Sequence, residues 1–124
     1  MPTPLDGAEY VSLETFKKDG TGVKTPVWAA GHDGALVIAT DANSWKVKRI
    51  RNNPKVRVAA CNGSGKRILG PWYDGTARIL DPAAGARADE SIAAKYGWKR
   101  RVFYFFSRLF GRTFDPAWIS ITLG

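Results

Sequence analysis

With 124 residues, 44% hydrophobic and 24% charged, the chain has the make-up of one globular domain, which excludes two independent cores and extended disorder. One cysteine, Cys61, and one histidine, His32, exclude an intramolecular disulfide, a multi-cysteine metal site and the usual zinc triads. Nineteen basic against eleven acidic residues give a net charge of +8, and residues 44–72 alone hold eight Lys/Arg and no acid, so an anionic partner is implied.

The elements follow in chain order. Glu9 to Phe16 alternates in character and predicts a strand. Asp19-Gly20-Thr21-Gly22 is a hairpin turn. Val23 to Ala30 is the second predicted strand; Pro26 cannot donate to a ladder and belongs at an edge, a bulge or a ligand approach. His32-Asp33-Gly34 turns the chain, with His32 read as an exposed turn residue. Ala35 to Thr40 is continuously apolar and predicts a strand buried on both faces. Asp41, Asn43 or Ser44 can cap a short helix over 44–52, which Asn53-Pro54 stops. Lys55 to Cys61 alternates again and predicts a strand with Cys61 as a buried, inert thiol. Asn62-Gly63-Ser64-Gly65 turns into a longer strand region, Arg67 to Leu80.

Asp81-Pro82 starts a helix, Asp as cap and Pro in the first turn, running to Tyr96 and ending at Gly97. A second helix over 98–110 puts Val102, Phe105, Phe106, Leu109 and Phe110 on one stripe. It is expected to cover a barrel end or a subunit interface rather than lie on a membrane. Ala117 to Leu123 is the last strand. The order is β-β-β-α-β-β-α-α-β. Tight turns imply antiparallel pairing, and short strands favour a small barrel. The chain reads as one domain over 1–124, with an extension at 1–8 and a helical insertion at 82–112. The start lacks a basic segment followed by an apolar one, and no apolar run reaches the ~18 residues of a membrane helix. The expectation is a soluble cytoplasmic protein with no stable membrane insertion.

The segment from Thr40 to Val56 carries the chemistry. A strand ends at Thr40 and a capped helix follows, whose free N–H groups and dipole favour an anion. Thr40 and Ser44 add hydroxyls, Lys46 and Lys48 add charge, and Arg49 adds a forked pair of donors. The competing reading is a basic coat on an exposed helix.

Lys24-Thr25-Pro26-Val27-Trp28, followed by Thr40…Ser44-x-Lys46…Ile50…Asn53-Pro54-x-Val56, resembles the split β-barrel flavin and deazaflavin oxidoreductases, the pyridoxamine-phosphate-oxidase-like superfamily. Lys95-Tyr96-Gly97-Trp98 with its basic helix is similar to an actinobacterial branch that uses the deazaflavin coenzyme F-420. The resemblance covers residues 8–123. It implies a mainly β fold, a six-stranded antiparallel split barrel of the FMN-binding type, forming a homodimer with the cofactor between subunits.

By position, it implies that Ser44 and Lys46 hold the cofactor phosphate with Thr40 at its edge. Thr25, Pro26, Val27 and Trp28 line the ring-binding strand, and Lys24, Lys48, Arg49, Arg51 and Arg57 face the tail. The implied activity is hydride transfer between reduced F-420 and a small organic acceptor. The cofactor carries the reaction, so no catalytic residue is named. No metal is expected. F-420 carries a longer string of negative charge than FMN, and the basic run at 44–72 suits the longer anion. The alternatives are FMN as cofactor, a non-catalytic F-420 carrier and, more remotely, a basic nucleic-acid-binding barrel. No nucleic-acid partner is expected, because Trp45 is the one aromatic interleaved with the basic run at 46–57.

Overall fold

The computed structural model describes residues 3–97 and 116–124. Among them are seven strands and two helices. They are β1 (Tyr10–Phe16), β2 (Gly22–Val27), β3 (Ala30–His32), β4 (Ala35–Asp41), α1 (Trp45–Asn52), β5 (Lys55–Cys61), β6 (Tyr73–Ile79), α2 (Pro82–Tyr96) and β7 (Pro116–Leu123). The strands form one sheet in the order β2-β1-β5-β6-β7-β4-β3, every pair antiparallel.

That order dictates the shape. Strands β2 and β3 lie at opposite ends of the sheet, yet only Trp28 and Ala29 connect them. Such a connection reaches on the order of 10 Å. Seven strands laid flat would span about 29 Å at their usual spacing. The sheet must therefore curl until its ends meet, and the fold is a split barrel. The predicted second strand, Val23 to Ala30, breaks at this corner. Its first part pairs with β1, and the chain beyond Ala29 pairs with β4. A strand that changes partner counts twice, which is why seven strands stand where six are expected. Pro26 lies on β2, an end strand of the sheet, as its missing N–H requires.

Two apolar clusters result. Val11, Leu13, Leu36, Ile38, Val56, Val58, Ile119 and Ile121 fill the barrel interior. Ala30, Val37, Ala88, Ile92 and Tyr96 pack outside it, beneath α2. Strand β4 feeds both, Leu36 and Ile38 inward and Val37 outward, which accounts for its unbroken apolar sequence. Helix α2 begins as predicted, with the Asp81 carboxylate accepting from the Ala84 N–H at 2.8 Å and Pro82 in the first turn.

Two expectations need correction. The strand predicted over 67–80 spans only Tyr73–Ile79, because Asn62 to Trp72 forms a loop. That loop is tied to β5 by Leu69 N–H to Ala60 O (2.8 Å) and a single bridge between Cys61 and Ile68. His32 is not a free turn residue: it ends β3, and its Nδ1 lies 2.8 Å from Ser91 Oγ on α2. The helix predicted over 98–110 falls outside the described residues. No helix among the described residues is long and apolar enough to cross a membrane.

Candidate functional site

The junction of β4 and α1 is built around two opposed demands. Val47 and Ile50 are buried and anchor one face of α1 to the barrel. The turn before the helix is satisfied by Asp41, whose carboxylate accepts from the Asn43 N–H (2.9 Å) and whose carbonyl accepts from the Ser44 N–H (3.0 Å). Ser44 then takes the extended N-cap conformation, φ −70° and ψ 154°. An N-cap serine usually turns its hydroxyl onto the helix. Here it makes no such bond, and Oγ is buried without a partner. A buried hydroxyl left unpaired costs about 1–3 kcal/mol.

The surroundings of that orphaned atom favour a negative charge. The first turn of α1 holds no acid, and its leading N–H groups have no intrahelical acceptor. Lys46 is half-buried, and among the described residues it makes no ion pair. Burial holds its ammonium pKa below the ordinary lysine value, and the neighbouring Arg49 charge adds to the depression while Asp41 opposes it. An anion at this first turn would satisfy Ser44 Oγ, and one near Lys46 would relieve the electrostatic cost there. Thr40, near the end of β4 and paired with Ala117, sits at the rim of the same junction.

The other predicted site residues do not converge on this point. Lys24 and Arg57 flank the Trp72 ring at 5.0 Å each, on the side of the β1–β2–β5 surface away from the barrel interior. Arg57 also binds Glu14 (3.2 Å) and approaches Asp74 (3.8 Å), so its charge is shared with acids. This pairing gives Glu14, 8% exposed, a structural partner. Arg51 is exposed on α1. Lys48 and Arg49 line a groove of about 570 Å³ between α1 and the β1–β2 hairpin.

Along β2, Thr25 opposes Leu13 and Pro26 opposes Ser12. The Pro26 ring abuts the 62–66 turn, since a Cβ placed at Gly65 would stand 3.1 Å from it. Val27 packs against the barrel core. Trp28, at the corner, stacks on Tyr96 with ring centroids 4.7 Å apart and planes 9° off parallel. Tyr96 in turn donates to Glu9 O (2.7 Å) and accepts from Ala29 N–H (3.0 Å). Lys95 Nζ reaches Ala8 O (2.5 Å) and Ala29 O (2.6 Å). Lys95 and Tyr96 therefore clamp the end of α2 over the strand switch. The sequence offered one signal for this: a Lys-Tyr pair immediately before the helix-ending Gly97.

Burial raises the Cys61 thiol pKa, in keeping with an inert thiol. Among the described residues, no group of three or more His, Cys, Asp or Glu is placed to hold a metal ion.

A single antiparallel sheet curled until its end strands meet defines the class: a split-barrel protein. The sequence profile of the pyridoxamine 5'-phosphate oxidase family matches residues 3–114, and the chain belongs to that family. No curated protein matches it. Among solved structures, a conserved hypothetical protein of Mycobacterium tuberculosis is similar, with a TM-score of 0.71, 22% identity, and coverage of 96% of this chain and 75% of that one. An F-420 reductase gives 0.63 and 19%, covering 97% and 90%. The heme storage protein HutZ of Vibrio cholerae gives 0.68 and 9%, covering 95% and 83%. At these identities the likeness establishes the fold alone.

Proposed function

We propose that this protein is an F-420-dependent oxidoreductase that binds its cofactor by the phosphate at the first turn of α1. The observation that carries the reading is the buried, unpartnered Ser44 Oγ two residues before the half-buried Lys46. Ser44, Lys46 and the leading N–H groups of α1 hold the phosphate, with Thr40 at its edge. Thr25 to Trp28 present the end strand to the ring. Bound there, the deazaflavin supplies the hydride that reduces a small organic acceptor. The chain's own residues fix the ring and keep water from it. A homodimer places the ring between two copies. The F-420 reductase among the similar folds supports this choice of cofactor, as does the excess of cations around α1.

FMN in the same cradle is the second reading, and it differs in charge. F-420 ends in a phosphodiester and an acidic tail, so its affinity should exceed that of FMN and fall more steeply with salt. Fluorescence titration of both from low to high salt tests this. Equal affinities with equal salt slopes would contradict the deazaflavin assignment. A carrier that binds without turnover is the third reading, prompted by the heme storage protein among the similar folds. It predicts tight binding with no acceptor reduced.

A further inference from the structure

The groove between α1 and the β1–β2 hairpin is a separate feature from the cradle at Ser44. Residues 45, 48, 49 and 52 of α1 line it. These fall at i, i+3, i+4 and i+7, one helix face, opposite the buried Val47 and Ile50. Lys48 stands about 160° around the helix from Lys46. The floor is apolar, from Phe16, Val23 and Trp45, and Trp45 is 70% exposed. At about 570 Å³ the groove has the size of a small-molecule site.

Its rim is cationic. Lys17, Lys18, Lys48 and Arg49 all line it, no acid does, and none of the four makes an ion pair among the described residues. The nearest acid in sequence, Asp19, has its carboxylate engaged by the Thr21 N–H at 2.9 Å. Arg49 is held by its Nε donating to the buried Thr15 Oγ1 at 3.1 Å, which leaves its terminal nitrogens for a ligand. Lys48 Nζ lies 4.5 Å from the Trp45 ring centroid.

We propose that this groove is a second ligand site, built for a free aromatic carboxylate whose ring covers Trp45 and Phe16 while its acid group meets Lys48 and Arg49. Covering an exposed indole recovers hydrophobic free energy, and the unpaired cations supply the charge complement. A hydrated oligoglutamate chain would leave the apolar floor uncovered. A bilayer surface would not enter a concavity. The proposal does not rest on the cofactor reading.

The test is titration of the full chain with 2-naphthoate, followed by ¹H–¹⁵N spectra. Shifts are expected at the Trp45 indole and at the amides of Lys17 and Val23. The neutral analogue 2-naphthalenemethanol should bind at least about tenfold more weakly. The double variant Lys17→Glu/Lys48→Glu changes two exposed side chains and should lose about tenfold in affinity with the rest of the spectrum unmoved. Trp45→Ala should weaken both ligands, and Lys46→Ala should leave naphthoate binding intact even if it abolishes cofactor binding. Equal affinity for the neutral analogue, no response to charge reversal, or shifts centred on Ser44 would overturn the proposal. So would displacement of naphthoate by tailed F-420 but not by a tail-less deazaflavin, which would give the groove to the cofactor tail. Preference for anionic vesicles over the free acid would also overturn it.

Discussion

Lys46 and Tyr96 are both displaced from their ordinary titration by burial, and each displacement has a consequence that can be measured. Lys46 attracts an anion only while protonated, and its pKa in the free protein lies below the ordinary 10.5. Phosphate-ligand affinity should therefore fall as pH rises, and should do so at a lower pH than an ordinary lysine would set. Lys46→Arg, which stays charged, should move the fall to higher pH, and titrations between pH 7 and 10 read the difference. Tyr96 is shifted the other way, pushed up to about 12 by burial. The stability it adds as a neutral phenol is fully present below pH 10 and is lost as pH climbs from 10 to about 12. Tyr96→Phe leaves the Ala29 N–H without its acceptor and should cost about 1–3 kcal/mol in denaturant unfolding at neutral pH. The variant should also reduce the stability loss between pH 10 and 12.

At the scale of elements, helix α2 lies on β7 through a contact with no room in it. A Cβ at Gly85 would stand 2.2 Å from the Trp118 ring, and Trp118 is held in place by its Nε1 donating to Asp89 Oδ1 at 2.9 Å. Gly85→Ala gains helix propensity of up to about 1 kcal/mol but should destabilise by about 1–3 kcal/mol net, read from the unfolding midpoint. Both described helices were legible because their signals are local: Ser44 and Asn53-Pro54 bound α1, and Asp81-Pro82 and Gly97 bound α2. The corner at Trp28–Ala29 was not legible. A strand that switches partners reads along the sequence like one that does not, and the difference lies in which strands curl alongside it. The same limit applies to the site. The proposed Thr40–Lys46 cradle lies within seven consecutive residues, so its members are named from local sequence alone. The placement of Lys24 and Arg57 around Trp72, and of Phe16 beside Trp45, depends on distant strands.

For the whole molecule, β7 is the strand that makes the sheet continuous. It pairs with β4 on one side and β6 on the other. Removing everything after Asp81 takes away α2 and β7 and separates β4–β3 from the remaining strands. Such a truncated chain should show no cooperative unfolding transition by circular dichroism, whereas a chain in which the segment 98–112 merely tethers the protein to lipid would keep one. The charge distribution belongs to this scale too. Of the eight cations of residues 44–72, Lys46 lies at the first turn of α1, Lys48 and Arg49 line the groove behind it, and Arg57 stands by Trp72.

The position of the cofactor phosphorus in a crystal grown with F-420 tests the phosphate role of Ser44 and Lys46 most directly. A phosphate is expected within hydrogen-bond distance of both Ser44 Oγ and Lys46 Nζ, at the first turn of α1. A phosphate bound elsewhere, with Ser44 Oγ still unpaired or turned onto its own helix, would contradict it.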